Sequence, residues 1–103
     1  MEENKMLVRM FQFRVKKGRD RALRVFMRRK ALAVLKKVPG CLCAYFARGG
    51  KKGEYVWVTV WTSEAAPKRA MARRDWQALV AEETKRFFAG KPRVQHYEVL
   101  AAK

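Results

Sequence analysis

Acidic residues are scarce in this chain: nine Asp and Glu stand against 25 Lys and Arg, a formal charge of +16 over 103 residues. Such a field draws polyanions, anionic lipid and acidic small molecules, yet the basic residues are scattered along the whole chain rather than forming a tail or arm. Histidine occurs only as His96 and cysteine only as Cys41 and Cys43. A lone His and a Cys-Leu-Cys pair make a poor metal site, so no metal is expected. On a regular strand the two thiols would share a face about 7 Å apart, too far for a relaxed disulfide. They read as small buried side chains. No apolar run approaches the ~20 residues that cross a bilayer, and the first six residues hold no apolar signal region. The expectation is a cytoplasmic protein with no membrane insertion. No repeat, linker or low-complexity tract divides the sequence, which predicts a single domain over residues 1–103. Phosphate-binding Gly motifs and nucleophile–base pairs are also missing.

What is present is a regular alternation of patterns. Residues 7–15 alternate in type and predict a strand, closed by Lys17-Gly18. Over residues 19–38, Leu23, Met27, Ala31, Val34 and Val38 fall on one stripe joined by Phe26 and Leu35, predicting a helix that Pro39-Gly40 stops. Residues 41–48 and 54–61 predict two further strands around a turn with three glycines. Ser63 is a candidate N-cap, with Pro67 disturbing the first turn. Asp75 is a candidate cap for a second segment that turns Trp76, Leu79, Val80 and Phe87 inward. Residues 93–100 predict the last strand. The order is β-α-β-β-α-β, an α+β, ferredoxin-like arrangement with an antiparallel sheet.

Strand 54–61 places Tyr55, Trp57, Thr59 and Trp61 on one face and Val56, Val58 and Val60 on the other. Both faces are substantially apolar and both need cover. Two helices cover one face only. A second copy of the chain is the economical cover for the other, which predicts a homodimer.

Four runs in this order, Phe13-Arg-Val-Lys-Lys-Gly18, Val38-Pro-Gly-Cys41, Val60-Trp-Thr-Ser-Glu-Ala65 and Asp75-Trp-Gln-Ala-Leu79, resemble the antibiotic-biosynthesis-monooxygenase (ABM) domain across nearly the whole chain. The resemblance implies a dimeric α/β barrel with a pocket between each sheet and its own helices. It also implies a cofactor-independent monooxygenase acting on an aromatic, polyketide or quinol-type molecule, or a binding relative without that chemistry. The His that many members carry nine residues after the strand-ending Trp is Ala70 here, and a second common His is Asp75. The Trp, His and Asn of the haem-degrading type correspond to Ala70, Val80 and Phe11, so haem degradation is not expected and no cofactor is assigned.

The pocket so implied would be lined by Phe11, Phe26, Trp57, Thr59, Trp61 and Trp76, with Tyr97 near it, and would suit a flat ligand. The same rings would serve equally as plain core packing. Oxygen chemistry on a substrate carbanion needs a base or a polarising donor, and the candidates are His96, Asp75, Arg9 and Tyr45. The rival reading is a non-catalytic basic protein that binds nucleic acid or another polyanion on the same fold. RNA-recognition domains share the element order, but Glu54 and Val56 stand where their third-strand motif wants aromatics. Tyr55 and Trp57 lie one residue out of phase, on the wrong face for that motif.

Overall fold

The computed structural model describes residues 5–103. Residues 1–4, which open both the predicted domain and the signal-free N-terminal stretch, lie outside the described residues. Strand β1 spans Leu7–Arg14. Helix α1 (Asp20–Phe26) runs through a π-helical turn (Met27–Ala31) into α2 (Leu32–Lys37). Strands β2 (Cys41–Arg48) and β3 (Glu54–Trp61) follow, then helices α3 (Ala65–Met71) and α4 (Arg74–Arg86), then β4 (Arg93–Glu98). The sheet order is β2-β3-β1-β4 and every neighbouring pair is antiparallel. This is the predicted ferredoxin-like α+β arrangement.

The alternation read in β3 is the alternation observed: Tyr55, Trp57, Thr59 and Trp61 are buried beneath the helices, and the valines between them are half-buried. On β1 the same inward phase carries Leu7, Arg9, Phe11 and Phe13. These residues meet their β3 partners rung by rung: Leu7 opposite Trp61, Arg9 opposite Thr59, Phe11 opposite Trp57 and Phe13 opposite Tyr55.

The rungs divide the core. Phe13, Leu23, Phe26, Met27, Ala31, Leu35, Tyr55, Trp57 and Phe87 belong to one apolar cluster. Leu7, Val38, Trp61, Ala66 and Ala70 form a second. The polar rung Arg9–Thr59 lies between them in the register.

The long first helical segment differs from an even helix in an instructive way. Leu23, Met27, Ala31 and Leu35 are all buried, each four residues beyond the last. At 3.6 residues per turn, every such step overshoots the face by about 40°. The wider π turn absorbs the excess and keeps the stripe on the sheet. Tyr55 Oη donates to Asp20 Oδ2 at 2.8 Å, which ties the start of α1 to β3.

Three local expectations are corrected. Asp75 lies inside the first turn of α4 rather than before it, since the helix begins at Arg74; its Oδ1 accepts the Trp76 N–H at 2.8 Å. Ser63 is not the N-cap of α3, a place Glu64 takes; its Oγ still accepts the Ala66 N–H at 3.3 Å, and Pro67 sits within the first turn, where its missing N–H costs little. The cysteines do not share a face. A bulge shifts the register so that Cys41 pairs with Trp61 and Cys43 with Val60, which places the two on opposite sides of the sheet. Both are half-buried and free.

Gly40 is required where helix α2 gives way to β2. Its φ is +87°, and a Cβ there would stand 2.7 Å from the Ala66 Cβ. Among the described residues no helix is long and apolar enough to cross a membrane.

Candidate functional site

A cavity of about 140 Å³ opens between the inner face of the sheet and the helices. The sheet contributes Arg9 and Phe11 from β1 and Trp57 and Thr59 from β3. The π turn and α2 contribute Ala31 and Leu35; α3 contributes Met71; and α4 contributes Trp76, Leu79, Val80 and Glu83. The wall is apolar apart from Arg9, Thr59 and Glu83. An engineered apolar cavity of roughly 150 Å³ accepts one benzene ring, so this space suits one ring rather than a fused polycycle.

Thr59 is fully engaged. Its Oγ1 accepts the Trp61 indole N–H at 2.7 Å and lies 3.4 Å from the Arg9 carbonyl, to which it donates. The Trp57 indole N–H is turned to the Met27 sulfur at 3.3 Å. Both indole donors are therefore satisfied within the fold, and the rings present carbon to the space around them.

Arg9 is different. It is 9% exposed, and its Nε has no hydrogen-bond partner among the described residues. Its guanidinium carbon lies 5.4 Å from the centroid of the Phe11 ring, a cation–π placement that offsets part of the lost hydration. Burial holds its pKa below the ordinary value, although an arginine stays charged across the accessible pH range.

Glu83 is the second ionisable group on the wall, at 5% exposure. Burial, reinforced by the neighbouring Glu82 carboxylate, pushes its pKa up to about 8. Glu82 itself is held ionised by Lys30 at 2.8 Å and Arg86 at 3.0 Å. Arg9 and Glu83 form no ion pair with each other. At neutral pH the cavity therefore holds an unpaired cation and a protonated carboxyl group.

Of the residues singled out in the sequence, Arg9, Phe11, Trp57, Thr59 and Trp76 line this cavity. Phe26 is buried against Phe87, at 5.2 Å between ring centroids, in the larger cluster and outside the wall. Trp61 belongs to the smaller cluster and reaches the site through its bond to Thr59 and its ring contact with Trp76 at 6.1 Å. His96 pairs with Arg9 in the register but is exposed on the edge strand β4. Tyr97, also exposed, points to the other face with Val8. Tyr45, 64% exposed, pairs with Val58 on the open sheet face, away from the cavity.

Asp75 is outside the wall and already committed. It binds Arg73 through two hydrogen bonds of 3.0 Å, and these hold its carboxyl below the usual carboxylate range. Glu83 was missed by the sequence reading. Its signal was phase: Trp76, Leu79, Val80 and Glu83 are spaced 3, 4 and 7 residues apart on the inward side of α4, and a glutamate there breaks an otherwise apolar stripe.

The family model for antibiotic biosynthesis monooxygenases matches residues 6–82, about three quarters of the chain. The chain belongs to the ABM family. Solved structures similar to this ABM chain share its fold at low identity. A protein of unknown function from Nitrosomonas europaea is 21% identical, with a TM-score of 0.81 over 98% of this chain and 95% of that one. Two proteins provisionally described as antibiotic biosynthesis monooxygenases are similar to it as well. The one from Caulobacter crescentus is 19% identical, with a TM-score of 0.83 over 95% and 92% of the two chains. The one from Bordetella bronchiseptica is 18% identical, with a TM-score of 0.83 over 94% and 99%. No curated protein matches the ABM chain closely enough to count as a relative.

The raised pKa of Glu83 has a consequence for stability. The folded state keeps its proton up to about pH 8, whereas the unfolded chain releases it near the ordinary 4.5. Between those values the native state binds more protons, so stability falls as pH rises and levels off above the folded pKa. The loss attributable to this group is on the order of 4–5 kcal/mol. Thermal melts should show Glu83→Gln gaining on the wild type between pH 5 and pH 9. A constant difference between the two across that range would show that Glu83 titrates normally.

Proposed function

We propose that this ABM protein is a homodimer whose cavity takes one flat aromatic ring, and that its chemistry is oxygenation of a phenol- or quinol-type ring without metal or flavin. The observation that carries this reading is the ring-sized, apolar space walled by Phe11, Trp57 and Trp76. Such a space gives a flat molecule aromatic faces to pack on. In the reaction a ring C–H bond gives way to a C–O bond. One oxygen atom of O₂ stays on the ring as a quinone oxygen and the other leaves as water. The substrate supplies both electron pairs, so no external reductant is needed.

The dimer is supported by the open face of the sheet, where Val8, Met10, Val56, Val58 and Val60 lie half-buried with no helix above them. Sedimentation at micromolar concentration should give twice the chain mass. Val58→Glu, which sets a carboxylate in the middle of that face, should yield monomer or unfold the protein. A monomeric wild type would remove the dimer from the proposal.

Catalysis and binding are tested together. Phenol and hydroquinone should quench tryptophan emission saturably, and oxygen uptake with quinone formation should follow addition of the true substrate type. Trp57→Ala should abolish the saturable quench and cost roughly 3–5 kcal/mol of stability, because the ring is also core. A wild type that binds no single-ring aromatic at millimolar concentration would leave these rings as packing alone.

The charge of +16 favours a second reading, weak binding of polyanions over the whole surface. Its affinity for unrelated nucleic acid sequences should be similar and fall steeply with salt. A strong preference for one sequence at physiological salt would promote that reading over the first.

A further inference from the structure

We infer that the cavity selects ligands by charge: Arg9 makes it a site for a single ring that carries one ionised oxygen group, a carboxylate or a phenolate. This rests on the proposed ring-binding role of the cavity and adds the chemical class of its occupant.

The argument begins with what an isolated cation in an apolar wall requires. An arginine that is 9% exposed normally has its donors matched by a carboxylate, carbonyls or water, because its five N–H groups cannot be left bare without cost. Here the Nε is orphaned, and its cross-strand neighbours do not serve it. Thr59 spends its hydroxyl on Trp61 and on the Arg9 main chain. His96, on the other side of the rung, sits on an exposed strand and makes no hydrogen bond to Arg9 among the described residues. The one acid on the wall, Glu83, forms no ion pair with it. The Phe11 ring at 5.4 Å supplies cation–π attraction but accepts no directed hydrogen bond from the Nε.

The missing component is an anion. Its size follows from the cavity: about 140 Å³ matches one ring, and the side open to solvent leaves room for its charged group. Its charge follows from Arg9, a single cation on the wall, which one anionic oxygen group matches. A protonated Glu83 can in turn donate to the ligand's oxygen. The surface cations, by contrast, are hydrated and exposed and give the selectivity no pocket.

The test compares benzoate with benzamide, which has nearly the same shape and no charge, by tryptophan quenching and calorimetry at pH 7 in 0.15 M salt. Benzoate should bind at least tenfold more tightly. Arg9→Met should bring the two affinities together while benzamide still binds, and Arg9→Lys should retain part of the preference. 4-Nitrophenol, whose ionised form absorbs in the visible, should be more ionised when bound than when free at the same pH. This arm separates phenolate from carboxylate recognition.

Equal affinities of benzoate and benzamide would overturn charge selection while leaving the ring-binding reading intact. Failure of both to bind would sink the ring-binding reading itself. If Arg9→Met does not fold, the wild-type comparison still decides the matter. Benzoate affinity that collapses between 0.1 and 0.5 M salt, or that acetate abolishes at equal concentration, would assign the binding to surface cations and overturn the inference, since a buried pair is screened far less.

Discussion

The Arg9–Thr59 rung is the constraint on which the rest of this structure turns. A charged side chain in the inward phase of a central strand interrupts the apolar face of the sheet between the rungs of the two core clusters, which Val34, Cys41 and Trp76 bridge. The void lies between the sheet and the helices, and its wall draws on the larger cluster through Phe11, Ala31, Leu35, Trp57 and Leu79. Replacing a buried charge by a well-packed apolar residue of similar volume is commonly neutral or stabilising. A fold under selection for stability alone would have little use for an arginine at this position. Function is the natural reason to retain it.

Around that rung the polar atoms of the aromatic side chains are satisfied in ways that leave their faces free. The Trp57 N–H goes to sulfur and the Trp61 N–H to a hydroxyl. Both bonds run within the protein. An apolar surface assembled from indole and phenyl rings is stiff, since each has few rotatable bonds to lose, and a stiff wall lowers the entropic cost of ordering a ligand. The π turn serves the same end from the other side. It brings Ala31, the smallest side chain of its stripe, to the cavity, where a larger residue would fill the space.

Much of this was legible in the sequence because strand alternation is a strong signal. The phase of Tyr55, Trp57, Thr59 and Trp61 fixed the inner face, and period two on β1 set Arg9 and Phe11 beside them. The resemblance to the ABM family supplied the place of the pocket, which periodicity could not. Depth within the layer was not legible. Phe26 and Trp61 point inward like the cavity residues, but neighbouring side chains close over them, and only tertiary packing decides which inward ring faces a void. Glu83 shows the opposite failure. Its helical phase was available, but charge ordinarily signals solvent, and only tertiary packing shows that this carboxyl is buried without an ion-pair partner of its own among the described residues. The bulge at Cys41 and Cys43 was hidden for another reason: inserting one residue into a strand leaves no trace in composition.

That bulge separates two thiols that the sequence sets one residue apart. Adjacent cysteines invite the thought of a redox couple, opening and closing with the oxidation state of the cell. Here the sheet keeps the two from bridging: Cys41 faces the packed interior, where burial and then the neighbouring Cys43 raise its pKa and suppress the thiolate, and Cys43 faces the opposite side with Val60. Oxidants reaching the second would meet a lone thiol with no resolving partner. Its first reversible product would be a sulfenic acid or a mixed disulfide with a small thiol, rather than an internal bridge.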